Sequence, residues 1–173
     1  MKKNNLGMSL VEIIIVIAIL AVIAGTVGLG IGLMTGKPAE KCARKLNAMM
    51  QNNRMTTMGK LSARLEIYID AEGYICVNEF VETAGEGEKV TTTRIGDKGV
   101  VLRYKISGEP DYRELNTGIP LIISFNRSSG AFHDLSAMGS SYVDKYCIEI
   151  EVSKGNTVKL LKLSYLTGKI TLE

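Results

Sequence analysis

From Ile13 to Gly36 the chain runs for 24 residues without a charged side chain. At a rise of about 1.5 Å per residue such a helix is about 36 Å long, enough to cross a hydrocarbon core of about 30 Å. The stretch GMSLVEIIIVIAIL, from Gly7 to Leu20, therefore reads as the opening of a membrane span, with one carboxylate, Glu12, at its edge. A carboxylate inside a span costs about 2.5–3.5 kcal/mol on insertion scales and less at headgroup level. No cation follows within 24 residues, so Glu12 either lies at the interface or takes a partner from elsewhere.

Upstream stand two lysines, Lys2 and Lys3, in the polar leader MKKNNL, followed by the small residue Gly7. Cutting after Gly7 would make Met8 the new terminus and Glu12 its fifth residue, one helical turn away. The missing cation would then be a terminal amine. A carboxylate and an amine about 4 Å apart attract by about 4 kcal/mol at an effective dielectric of 20, comparable with the insertion cost.

This arrangement resembles the type IV prepilin signal of pilins and pseudopilins: a short basic leader ending in Gly, an apolar first mature residue, Glu at the fifth position and a long apolar helix. The matching residues are Lys2, Lys3, Gly7, Met8 and Glu12; Met8 stands where Phe is most frequent. The resemblance implies cleavage between Gly7 and Met8 and N-methylation of Met8 by a prepilin peptidase. It further implies that Glu12 directs assembly by pairing with the amine of a neighbouring subunit. A secretory signal peptide is the competing reading, but its apolar core is shorter and carries no acid at its start.

Orientation is contested within the sequence. Lys37, Lys41, Arg44 and Lys45 after the span outnumber Lys2 and Lys3 before it, which alone would hold the large domain in the cytoplasm. The prepilin resemblance implies the reverse: a cytoplasmic leader, a single-pass anchor and an exported domain, in the cell membrane or on a surface filament.

The expected organisation is leader 1–7, assembly helix 8–36 and globular domain 37–173, the last containing a helix over 38–58 and a β region over 62–173. Removing Lys2, Lys3 and Glu12 from 21 basic and 18 acidic residues leaves 19 and 17, a balance of about +2 that does not mark a nucleic-acid binder. Three scattered cysteines, Cys42, Cys76 and Cys147, are too few for a disulfide scaffold or a metal site. Cys76 and Cys147 lie in strand-like segments and are the candidate bridge; three buried free thiols are the alternative.

Within the run, GTVGLGIG places Gly25, Gly28, Gly30 and Gly32 together, but no βαβ unit follows, so these glycines loosen a helix and do not bind a dinucleotide. After Pro38 the periodicity predicts a resumed helix to about Met58, with Cys42, Leu46, Met49 and Met50 on one face and Gly59 ending it. ARLEIYID, YICVNEF, VVLRYKI, LIISF, YCIEIEV, VKLLKLSYL and TGKITLE read as strands. Glu82–Gly99 and Ser107–Gly118 read as loops. The expected fold is α+β: a long N-terminal helix packed on an antiparallel meander, either a sheet or a small sandwich.

More loosely, ARLEIYID directly after the helix, SFNRSSGAF and the closing YLTGKI are similar to the minor pseudopilins that include the H component of type II secretion and the FimT-like pilins. That resemblance implies a minor subunit with other pilin or pseudopilin subunits as partners.

Catalytic patterns are missing from the sequence. His133 is the single histidine, and its neighbour Asp134 cannot complete a triad from the adjacent position. Glu149 and Glu151 alternate onto one strand face, as solvated pairs do. The expectation is a substrate of an enzyme and not an enzyme, without a cofactor or metal. Two rivals remain: a DNA-uptake pilin using Lys159, Lys162 and Lys169, and a membrane-tethered domain facing the cytoplasm.

Overall fold

The computed structural model describes residues 10–59, 62–83, 85 and 87–173, with backbone alone at 21–36. The chain divides into two compact units, Met1–Thr35 and Gly36–Glu173. The described part of the first unit is helix throughout. Helix α1 is Leu10–Gly59 and contains Pro38. The helix therefore does not restart after the proline. Pro38 costs a helix about 3 kcal/mol through its missing N–H, and the turn that follows is held by burial of Ala39, Cys42 and Ala43.

In the second unit, α1 buries Ala39, Cys42, Ala43, Leu46, Met50, Asn53 and Thr57, one stripe at steps of three and four, with Met49 half-buried at its edge. Among the described residues nine strands follow: β1 (Ser62–Ile69), β2 (Ile75–Thr83), β3 (Gly87–Gly96), β4 (Val101–Ile106), β5 (Tyr112–Glu114), β6 (Leu121–Ser124), β7 (Cys147–Lys154), β8 (Thr157–Ser164) and β9 (Lys169–Leu172). The fold is α+β, and of the two expected arrangements, one sheet or a small sandwich, the strands form two sheets. The first has the order β3-β2-β1-β6 and the second β5-β4-β7-β8-β9, with antiparallel pairing throughout.

Period-2 alternation turns one face of each sheet toward a common core. Leu65 and Ile67 of β1, Ile75 and Val77 of β2, and Leu121 and Ile123 of β6 come from the first sheet. Leu102 and Ile106 of β4, Ile150 and Val152 of β7, and Leu161 and Leu163 of β8 come from the second. They join the helix stripe in a single apolar cluster.

Two expected loops contain strands. Within Glu82–Gly99 lies β3, whose Glu88–Thr92 stretch is exposed on both faces and so lacks the alternation that signals a half-buried strand. Its register comes from β2, with Glu79 opposite Thr91 and Phe80 opposite Val90. Within Ser107–Gly118 lies β5, three residues long and paired only with β4. Neither strand carries an apolar pattern of its own.

Candidate functional site

The N-terminal helix is the part of the molecule without a core of its own. From Leu10 to Leu20 every described side chain is exposed, and the large apolar ones, from Leu10 to Leu20, are 41% to 74% accessible. A helix that is apolar on all sides has no face suited to water and belongs inside a bilayer or among other helices. Glu12 lies in the first turn, where a carboxylate interacts favourably with the positive end of the helix dipole. Its side chain is exposed, with no ion pair among the described residues. What this geometry offers chemically is one negative acceptor on an otherwise apolar rod.

Lys2, Lys3, Gly7 and Met8 lie outside the described residues. The expected span from Ile13 to Met34 runs into 21–36, where the side chains are likewise outside them. Among the described residues, no helix is long and apolar enough to cross a membrane.

The remaining candidates fall into structural roles. Cys76 and Cys147 are not joined: all three cysteines are free and buried. The two stand in different sheets, Cys76 with its thiol 3.7 Å from Asp70 Oδ2 and Cys147 with its thiol 3.6 Å from the Glu149 carbonyl. Burial pushes the Cys42 and Cys147 thiols up to about 12 and raises Cys76 as well, so none is poised as a nucleophile.

His133 is exposed, and Asp134 is occupied elsewhere. The Asp134 carboxylate accepts from the Ser136 hydroxyl at 2.6 Å and from the Asp144 N–H at 3.0 Å, capping the short 3-10 turn Leu135–Met138. These hydrogen bonds, that of Ser136 foremost, hold its pKa below the usual carboxylate range. Glu149 accepts from the Tyr112 hydroxyl, which raises the tyrosine to about 12, and Glu151 lies 3.7 Å from Arg103. Both acids serve cross-strand pairing.

The three strand lysines do not share one face: the β8–β9 register sets Lys162 and Lys169 on one side and Lys159 on the other. Lys159 and Lys162 are three apart on β8 and so point to opposite faces. Lys162 is paired with Glu173 at 2.8 Å. In the basic cluster after the span, Arg44 pairs with Glu40 at 2.8 Å and Lys45 donates to the Arg94 carbonyl at 3.1 Å.

A junction not anticipated from the sequence is built on Arg54. Its guanidinium donates to the carbonyls of Gly130 and Thr167, at 2.8 and 2.9 Å, tying the helix to two turns. Gly168 has φ +67°, and a Cβ there would lie 1.7 Å from the Gly130 carbonyl oxygen, so only glycine fits. Gly130 and Gly168 lie 38 positions apart, so no local pattern announces their meeting.

Residues 2–28 match the family model described as the prokaryotic N-terminal methylation motif. Neither a curated protein nor a solved structure matches the chain. The match covers Gly7, Met8 and Glu12 together with the exposed apolar helix. It supports a type IV pilin-like protein, a prepilin-like substrate of prepilin peptidase, and points to a membrane-anchored pilin.

Proposed function

We propose that this type IV pilin-like chain is a minor pilin or pseudopilin: cut between Gly7 and Met8, methylated on the Met8 amine, and inserted into a filament through its N-terminal helix. The observation that carries the reading is the coincidence of the methylation-motif match at residues 2–28 with a helix that is apolar and exposed all round from Leu10 to Leu20. In this account the helix crosses the membrane once before assembly, with the leader cytoplasmic and Gly36–Glu173 exported. The Glu12 carboxylate then receives the amine of a neighbouring subunit, a charge pair that favours one register over misdocked ones. The globular unit supplies an outward surface and performs no catalysis.

Nucleic-acid binding is disfavoured as the main role by the opposed Lys159 and Lys162 and by the occupied Lys162. Three phosphate contacts would give a salt slope of only about −3. The test is assembly in cells that hold the prepilin peptidase and the partner subunits. Replacing Glu12 with Val is expected to leave membrane insertion and cleavage intact and to abolish incorporation into filaments. Normal incorporation of the Glu12→Val protein would defeat the pairing mechanism.

A further inference from the structure

We propose that the pocket where β1 meets the end of β6 is a binding site for a phosphate monoester. The pocket has a volume of about 270 Å³ and its lining includes Thr57, Ser62, Arg64, Ser124, Arg127 and His133. Three of these side chains are basic types and none is acidic. The inference does not depend on the filament reading.

The basic groups open to a ligand are those of Arg127 and His133. Arg64 is held by Glu88 and Glu66 and lies flat over the Phe80 ring at 4.0 Å, so it contributes fixed N–H groups and little net charge. Arg127 and His133 make no ion pair among the described residues. The one acid beside them in sequence, Asp134, spends its oxygens on Ser136 and Asp144, and Glu82 at the rim accepts from the Ser62 hydroxyl at 2.9 Å. Two basic side chains without an ion pair among the described residues therefore share one pocket.

Their positions are fixed by backbone. The His133 N–H donates to the Ser124 carbonyl at 2.9 Å, and Phe125 and Phe132 pair next to it, with ring centroids 4.6 Å apart. Arg127 sits in a tight turn closed by the Asn126 N–H on the Ala131 carbonyl at 2.7 Å and the Gly130 N–H on the Asn126 carbonyl at 2.8 Å. Donors thus come from β1, from the turn after β6 and from residue 133, all lining one pocket. A planar carboxylate is satisfied by a single guanidinium fork, whereas a tetrahedral group with three terminal oxygens accepts from several directions at once. At about 30 Å³ per water-sized group, the volume exceeds what inorganic phosphate fills and suits a small ester.

His133 is the single histidine of the chain, so isotope-labelled imidazole gives one resonance in the full-length protein in neutral-detergent micelles. Inorganic phosphate, glucose 6-phosphate and acetate are titrated separately at constant ionic strength, which removes screening as a cause. The expected result is a saturating shift with phosphate, at lower concentration with the sugar phosphate, and none that saturates with acetate. Arg127→Gln is expected to weaken binding by about tenfold or more, the worth of a charge-assisted hydrogen bond, with the rest of the spectrum unchanged. Nanodiscs containing phosphatidate distinguish the source: a saturating shift there and not with the soluble ester keeps the site and assigns a lipid headgroup to it. A linear response to every phosphate, equal binding by Arg127→Gln, or equal saturation by acetate overturns the proposal.

Discussion

Two stretches of the same helix meet different surroundings. From Leu10 to Leu20 the apolar side chains face every direction and all are exposed, whereas Ala39, Cys42, Ala43, Leu46 and Met50 fall on one stripe and are buried in the core that two sheets share. The second stretch is solved within the chain. The first is not, and its arrangement makes sense only with another medium or another molecule around it. The contrast teaches that helical hydrophobicity carries function when it is left without a partner and carries stability when it is matched.

The comparison can be broken by truncating one side chain in each stretch. Leu46→Ala, in the buried stripe, is expected to lower the unfolding free energy of Gly36–Glu173 by about 2–5 kcal/mol, read as a fall in thermal or urea midpoint. Ile17→Ala is expected to leave that midpoint within about 0.5 kcal/mol, since Ile17 touches no core. Equal losses from the two would mean that the exposed stretch helps to hold the globular unit.

Of the fold, the helix stripe and the apolar strands were legible because each carries its own period: Cys42, Leu46 and Met50 at helical spacing, Leu65 and Ile67 in alternation. β3 was not, because Thr91, Thr92 and Thr93 show no inward face, and its strand character is imposed by pairing with β2. The choice between one sheet and a small sandwich was left open, since pairing β6 with β1 is a contact between distant segments that no local pattern announces. Of the sites, Gly7, Met8 and Glu12 are singled out by the resemblance of the N-terminal stretch to the prepilin signal. Arg127 and His133 are brought together by a turn geometry that the sequence does not display.

A smaller effect sharpens the account of how turns hold the buried half. Gly168→Ala is expected to destabilise the globular unit by about 1–3 kcal/mol, because alanine is strained at positive φ and its Cβ would displace the Gly130 carbonyl. Gly155, also at positive φ but with open space around it, isolates the strain alone. Gly155→Ala is therefore expected to cost less in the same melting experiment, and the reverse order would discount the contact.

The smallest effect concerns acid. Asp70 accepts from the Tyr74 N–H at 2.8 Å and the Glu72 N–H at 3.0 Å, and these bonds, Tyr74 foremost, hold its pKa below the usual value. Its stabilising contribution is therefore complete above the unfolded value of about 3.9 and is lost as pH falls through that value toward the folded one. The melting temperature is expected to decline slightly across this window, and Asp70→Asn is expected to flatten that part of the profile. An unchanged slope in the variant would assign the decline to other carboxylates.

The most direct test of the central claim is the mature N-terminus. Intact-mass and peptide mass spectrometry of the protein from cells with a working prepilin peptidase is expected to find a chain beginning at N-methylated Met8. A chain that still begins at Met1 in such cells, or one cut after Gly25 or Gly36, would contradict the reading of this protein as a processed pilin subunit.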